Sequence, residues 1–120
     1  MNFRNNLYFV ESKDSIENGC VYTIRMNADH VIYKAHFPEE PVTPGVCILQ
    51  TGLELMSDAA CRKLELCRVK NVKFINVLQP DGSAVRVKVY KISETDDSVK
   101  AQVDIESNGL PVAKMSLICR

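Results

Sequence analysis

His36-Phe37-Pro38-Glu39-Glu40-Pro41-Val42-Thr43-Pro44-Gly45-Val46 sets a histidine just ahead of a proline-rich turn that runs straight into an apolar stretch. Thr43 is suited to cap a helix, and Pro44 to take its first position, where a missing N–H leaves nothing unpaired. Gly45 then offers a backbone N–H at the positive end of the helix dipole, open to close approach. From about Pro44 to about Leu64, Val46, Leu49, Leu53, Met56 and Ala60 form one stripe, widened by Ile48, Leu55 and Ala59. That periodicity predicts one long helix covered on most of its surface. Its remaining polar line is Gln50, Glu54, Asp58 and Arg62.

Outward from this segment the chain reads as strand. Leu7-Tyr8-Phe9-Val10 is β-prone, Asn18-Gly19 signals a hairpin turn, and in Cys20 to Met26 Val21, Thr23 and Arg25 alternate with Tyr22, Ile24 and Met26. Val69 to Leu78 leads to the turn Pro80-Asp81-Gly82. Val85, Val87 and Val89 alternate with polar neighbours, as do Ala101, Val103 and Ile105, and Asn108-Gly109 marks another turn before Ala113, Met115, Leu117 and Cys119. Glu94-Thr95-Asp96-Asp97 reads as a solvated loop. One long helix followed by an antiparallel meander predicts an α+β domain, a sheet curled around that helix, spanning residues 1–120.

Composition narrows the function. The chain has 120 residues, 46% of them hydrophobic, and Lys+Arg balances Asp+Glu at 15 each, so net charge argues for neither nucleic acid nor a membrane surface. No apolar run reaches spanning length and residues 1–6 lack a signal-peptide core, which points to a cytoplasmic protein. The five cysteines form no Cys-x-x-Cys pair, and two histidines are too few to complete a metal site with them, so free thiols in a reducing compartment are expected.

His-Phe-Pro-x-x-Pro-Val-x-Pro-Gly-Val, followed by an apolar helix and late strands, resembles the 3-hydroxyacyl-(acyl-carrier-protein) dehydratases of bacterial fatty-acid synthesis, over roughly Leu7 to Cys119. The resemblance implies a hotdog fold and a dimer, homomeric or paired with a paralogue, with sites at the subunit interface. It implies a substrate thioester presented on an acyl-carrier protein, and no metal or organic cofactor. It makes His36 the base beside the thioester carbonyl and the Gly45 amide the donor to its oxygen, with Phe37, Pro44 and Val46 also contacting substrate. A neutral imidazole is a usable base near pH 7, and a helix N-terminal amide aimed at an oxyanion lowers the barrier by about 3 kcal/mol.

The match departs from that family at two positions. Fourteen residues after His36, where the family carries its acid, stands Gln50, whose carboxamide holds a hydroxyl but cannot deliver a proton to it. Glu39 replaces a glycine common after His-Phe-Pro. Glu54, one turn past Gln50 on the same face, is better read as solvated or structurally hydrogen-bonded than as a substitute acid, because the displacement is about 5 Å. His30 reads as a surface residue, and Cys47 lacks a basic neighbour that would make it a nucleophile. Lys63, Arg68, Lys70 and Lys73 form a basic cluster able to attract an acidic carrier or simply to meet water. Three functions stay open: a dehydratase of 3-hydroxyacyl thioesters, a non-catalytic subunit beside an active paralogue, and an acyl-thioester hydrolase.

Overall fold

Period-two alternation carries the strands around Val85–Val89 and Ala101–Ile105 as the sequence predicts, whereas the strand expected over Val69 to Leu78 runs from Leu66 to Phe74 and is exposed along most of its length. The computed structural model describes residues 2–35 and 39–120. In chain order they form β1 (Tyr8–Ile16), β2 (Gly19–Met26), α1 (Val31–Ala35), α2 (Gly45–Ala59), β3 (Leu66–Phe74), β4 (Val85–Glu94), β5 (Val99–Ser107) and β6 (Leu110–Cys119). The strands make one antiparallel sheet in the order β1-β2-β4-β5-β6-β3. Register keeps the apolar set on one face: Tyr22 lies opposite Val87, Val87 opposite Ile105 and Ile105 opposite Ala113, all buried. One face of α2 packs on β2, β4, β5 and β6, giving the α+β arrangement expected of a hotdog domain.

Two tight turns set that register. Asn108 and Gly109 both have positive φ, 55° and 76°, as a two-residue hairpin requires. Asn18 also has positive φ, but the need at Gly19 is space: a Cβ there would stand 1.9 Å from the Val89 carbonyl oxygen on the neighbouring strand.

The long helix differs from its expected form in extent and facing. It ends at Ala59, not near Leu64, because Arg62 N–H donates to Ser57 C=O and Cys61 N–H to Asp58 C=O around Cys61 at φ 57°. This is a Schellman turn made without glycine, so the sequence carried no stop signal. Its buried face is Cys47, Ile48, Thr51, Gly52, Leu55 and Met56, whereas Val46 is 72% exposed and Leu49 and Leu53 are only half-buried. Ile48, Leu55 and Met56 of the expected stripe are buried, but between them the helix turns Thr51 and Gly52 to the sheet in place of Leu49 and Leu53, and a Cβ on Gly52 would come within 3.3 Å of Met115 Sδ and Val103 Cγ1. A second, five-residue helix, α1, was not expected. His30 is half-buried rather than a surface residue, its Nδ1 accepting the Ile32 N–H while its ring meets Phe3 edge-on.

Gly19→Ala should lower unfolding free energy by about 2 to 3 kcal/mol, since backbone rather than a flexible side chain opposes the added methyl. Urea denaturation of the two proteins checks it, the midpoint falling with little change in slope.

Candidate functional site

The start of α2 is built differently from the sequence expectation. Thr43 is not its cap, because its Oγ1 is hydrogen-bonded to Tyr33 Oη at 2.8 Å, in the interior, and its N–H donates to Leu78 C=O. Pro44 is therefore the N-cap rather than the first helical residue, accepting from Cys47 and Ile48 N–H, and no side chain caps this end. The Gly45 amide thus stands in the first turn of a fifteen-residue helix, where donors without helical acceptors favour negative charge. On its Cβ side Gly45 meets the ring of Phe74, 3.0 Å from where a methyl would sit, so that approach is covered. Pro44, Gly45 and Val46 share this end of α2, with Gln50 about 7.5 Å further along the axis. His36 and Phe37, the other two expected contacts, lie outside the described residues.

The polar line of α2 faces the N-terminal segment. Glu54 Oε1 accepts hydrogen bonds from Phe3 N–H (3.0 Å), Arg4 N–H (2.9 Å) and Tyr8 Oη (2.9 Å). Its Oε2 accepts from Phe3 N–H (2.8 Å) and from Gln50 Nε2 (3.0 Å). The structural reading of Glu54 holds. One turn on, Asp58 is paired with Arg4 and Lys13, each at 2.9 Å, and accepts from Tyr22 Oη at 2.5 Å. Burial opposes the Asp58 charge, but the Tyr22, Lys13 and Arg4 hydrogen bonds outweigh it and bring its pKa down to about 2. Burial, reinforced by these carboxylates, pushes both phenols far above their ordinary range, so Tyr8 and Tyr22 stay protonated as donors. Neither tyrosine stood out in the sequence, since each reads simply as an apolar strand residue.

The opposite flank of α2 is apolar and open. β3 is an edge strand, and Leu66, Val72 and Phe74 on it, then Ile75 and Val77 after it, are exposed. They form an uncovered margin where Gly45 touches Phe74 and Thr43 bonds Leu78. Lys63, Arg68, Lys70 and Lys73 are exposed beside it. All five cysteines are free thiols, and burial pushes the Cys47 thiol up, away from a nucleophile's state. No group of side chains among the described residues is arranged to hold a metal ion, and no helix among them is long and apolar enough to cross a membrane.

A family model described as ApeI-like, ApeI dehydratase, matches residues 12–112. The chain belongs to the ApeI-like dehydratase family. Similar solved structures place it among hotdog-fold proteins. The dehydratase heterocomplex ApeI:P from Xenorhabdus doucetiae is 16% identical, with 93% of this chain and 97% of that chain covered and a TM-score of 0.78. A hypothetical thioesterase protein with coenzyme A from Streptococcus pneumoniae TIGR4 is 10% identical, covering 93% and 83%, with a TM-score of 0.66. Zebra fish thioesterase superfamily member 2 is 12% identical, covering 94% and 80%, with a TM-score of 0.64. No curated protein matches the chain. The earlier resemblance thus holds at the level of a dehydratase family and hotdog fold.

Because the folded pKa of Asp58 lies below its ordinary 3.8, its stabilisation is complete above that value and is lost as pH falls through about 2. Asp58→Asn should lower stability at neutral pH by about 1 to 2 kcal/mol, allowing for the partial exposure of the pair. The deficit should shrink in acid as the wild type loses the same contribution, which denaturant titration at several pH values reads directly.

Proposed function

We propose that this ApeI-like protein is a subunit of a dehydratase acting on 3-hydroxyacyl thioesters, in fatty-acid or polyketide-type synthesis, and that a partner chain supplies the acid. What supports the reading above all is the state of Glu54. The carboxylate bonded to Gln50 already accepts from two backbone amides, a phenol and Gln50 itself, so its oxygens are engaged in holding the N-terminal segment. His36 would take the proton next to the thioester carbonyl. The Gly45 N–H would hold the carbonyl oxygen as enolate charge develops, with Phe37, Pro44 and Val46 against the acyl chain.

Elimination of the 3-hydroxyl needs a proton on its oxygen as the C–O bond breaks, and Gln50 cannot furnish it. The uncovered β3 margin suits strand pairing with a second chain, which would bring that chain's helix opposite this one. A paralogue with Glu or Asp at the equivalent of Gln50 would complete the site containing this chain's His36. The similar ApeI:P dehydratase is itself a heterocomplex, which favours pairing with a different chain. The exposed Lys63, Arg68, Lys70 and Lys73 would attract an acidic carrier protein, and the free thiols suit a reducing cytoplasm.

Turnover of a carrier-bound 3-hydroxyacyl substrate tests this. The protein alone should run about 10² to 10⁴ slower than Gln50→Glu, the usual worth of a general acid. In that variant the new carboxyl would stand within hydrogen-bond reach of Glu54, and the like charge would raise its pKa and keep it protonated. His36→Ala in the Gln50→Glu background should abolish turnover. Wild type matching Gln50→Glu on its own would refute the partner requirement.

A further inference from the structure

The sheet face turned away from α2 is polar and hollowed. Lys88 and Tyr90 of β4, Asp104 of β5 and Lys114 of β6 alternate with the buried Val87, Val89, Val103 and Met115, so they point outward. Here the surface sinks into a groove of about 810 Å³ with Ile16, Val21 and Pro111 along its wall, room enough for a small organic molecule. A hollow of about 240 Å³ adjoins it and shares Tyr90, Lys91, Asp104 and Lys114.

The charge of this face is unbalanced. One row of the register runs Lys88, Asp104, Lys114, Lys73 across β4, β5, β6 and β3. Lys114 and Lys73 stand directly opposite each other, a like-charge pair that a sheet disfavours. Arg86 is paired with Glu106 at 3.5 Å, but among the described residues Lys73, Lys88, Lys91 and Lys114 make no ion pair. Asp104 instead accepts from Tyr90 Oη at 3.0 Å. Four lysines against the carboxylates of Asp104 and Glu17 leave two positive charges on one face of a chain whose net charge is zero.

Lys91 joins this face at a conformational cost. β4 carries an extra residue between Tyr90 and Ser93, and Lys91 adopts φ 53° there, a left-handed conformation that its side chain disfavours. Strict alternation would send residue 91 toward the helix. The bulge sends Ile92 toward the core instead and turns Lys91 outward, with its Nζ 5.7 Å from the Tyr90 ring centroid and Lys88 Nζ 4.5 Å from the same point. Bulges that re-aim a side chain in this way, and residues held in such conformations, concentrate at functional sites.

We propose that this groove binds the phosphate monoester of a small organic molecule, with Lys88, Lys91 and Lys114 on the phosphate and the organic part toward Ile16, Val21 and Pro111. A phosphate monoester carries nearly two negative charges at neutral pH, which matches the surplus, and its oxygens accept from ammonium groups that now repel one another. The concave form and apolar wall favour a small ligand over an acidic protein surface. The site lies across the sheet from Gly45 and is independent of the function proposed above.

NMR titration of the isotope-labelled protein at constant ionic strength tests this, with phenyl phosphate, inorganic phosphate and chloride as probes. Phenyl phosphate should give saturable shifts at the Lys88, Lys91 and Lys114 amides and bind more tightly than inorganic phosphate, while chloride gives none. Lys91→Gly removes the ammonium and suits the left-handed backbone, so the variant should fold as well as wild type and bind phenyl phosphate about fivefold more weakly. Unchanged affinity in Lys91→Gly, an equal response to chloride, or phenyl phosphate no tighter than inorganic phosphate would overturn the proposal. So would saturation by a hexaglutamate peptide with none by phenyl phosphate, which would make the occupant an acidic partner protein.

Discussion

How close α2 comes to the sheet governs the rest of the molecule. Thr51 and Gly52 face inward, and a methyl at Gly52 would already stand only 3.3 Å from Met115 and Val103. A helix seated on small residues is fixed in rotation as well as distance, because turning it would drive Leu49 or Leu53 into the same narrow space. Thr51 is compatible with that seat only because its hydroxyl donates to Cys47 C=O, leaving no unpaired polar atom in the core.

Fixed rotation then sorts the two flanks. At about 100° per residue, Gln50, Glu54 and Asp58 fall on one side of the buried face, and Gly45, Leu49 and Leu53 on the other, with Val46 on the outermost side. The first flank meets polar partners within the chain: the amides of Phe3 and Arg4, the phenols of Tyr8 and Tyr22, and the cations of Arg4 and Lys13. The second meets the edge strand β3 and stays partly uncovered. Polar groups near the interior need specific partners, whereas apolar ones need only area, which a second chain can provide.

Much of this was legible beforehand, and the gaps have physical causes. Strand alternation around Val85, Val87 and Val89 and the two Asn-Gly turns fixed the meander, because period two and positive φ are local properties. The stop at Ala59 was not local in that sense, since Cys61 adopts a left-handed conformation that its side chain disfavours and the surrounding hydrogen bonds enforce. Ile48, Leu55 and Met56 are buried as the pattern predicts, but Thr51 and Gly52 take the inward places expected of Leu49 and Leu53, because pattern reading ranks Leu above Gly and Thr where close approach to the sheet favours the small residues. The cap failed similarly: Thr43 has the right chemistry, but Tyr33 from α1 claims its hydroxyl. Of the candidate site, the start of α2 beside Gly45 was readable, while the commitment of Glu54 depends on Phe3, Arg4 and Tyr8, some fifty residues away in sequence.

That commitment gives a physical reason for an amide at position 50. A carboxyl there would sit one turn from Glu54 and within hydrogen-bond reach of it, and two carboxylates so close cannot both ionise. Either the pair would hold one proton between them, weakening what Glu54 offers to the Phe3 and Arg4 amides, or the N-terminal segment would give up its anchor. Gln50 removes the conflict, because its NH₂ adds a donor to a carboxylate already served by donors. Within a single chain, then, anchoring the N-terminus through Glu54 and carrying an acid one turn earlier compete for the same charge. In the pairing proposed above, two chains would divide the tasks: one uses this stretch of helix to hold itself together, and the other would bring the proton.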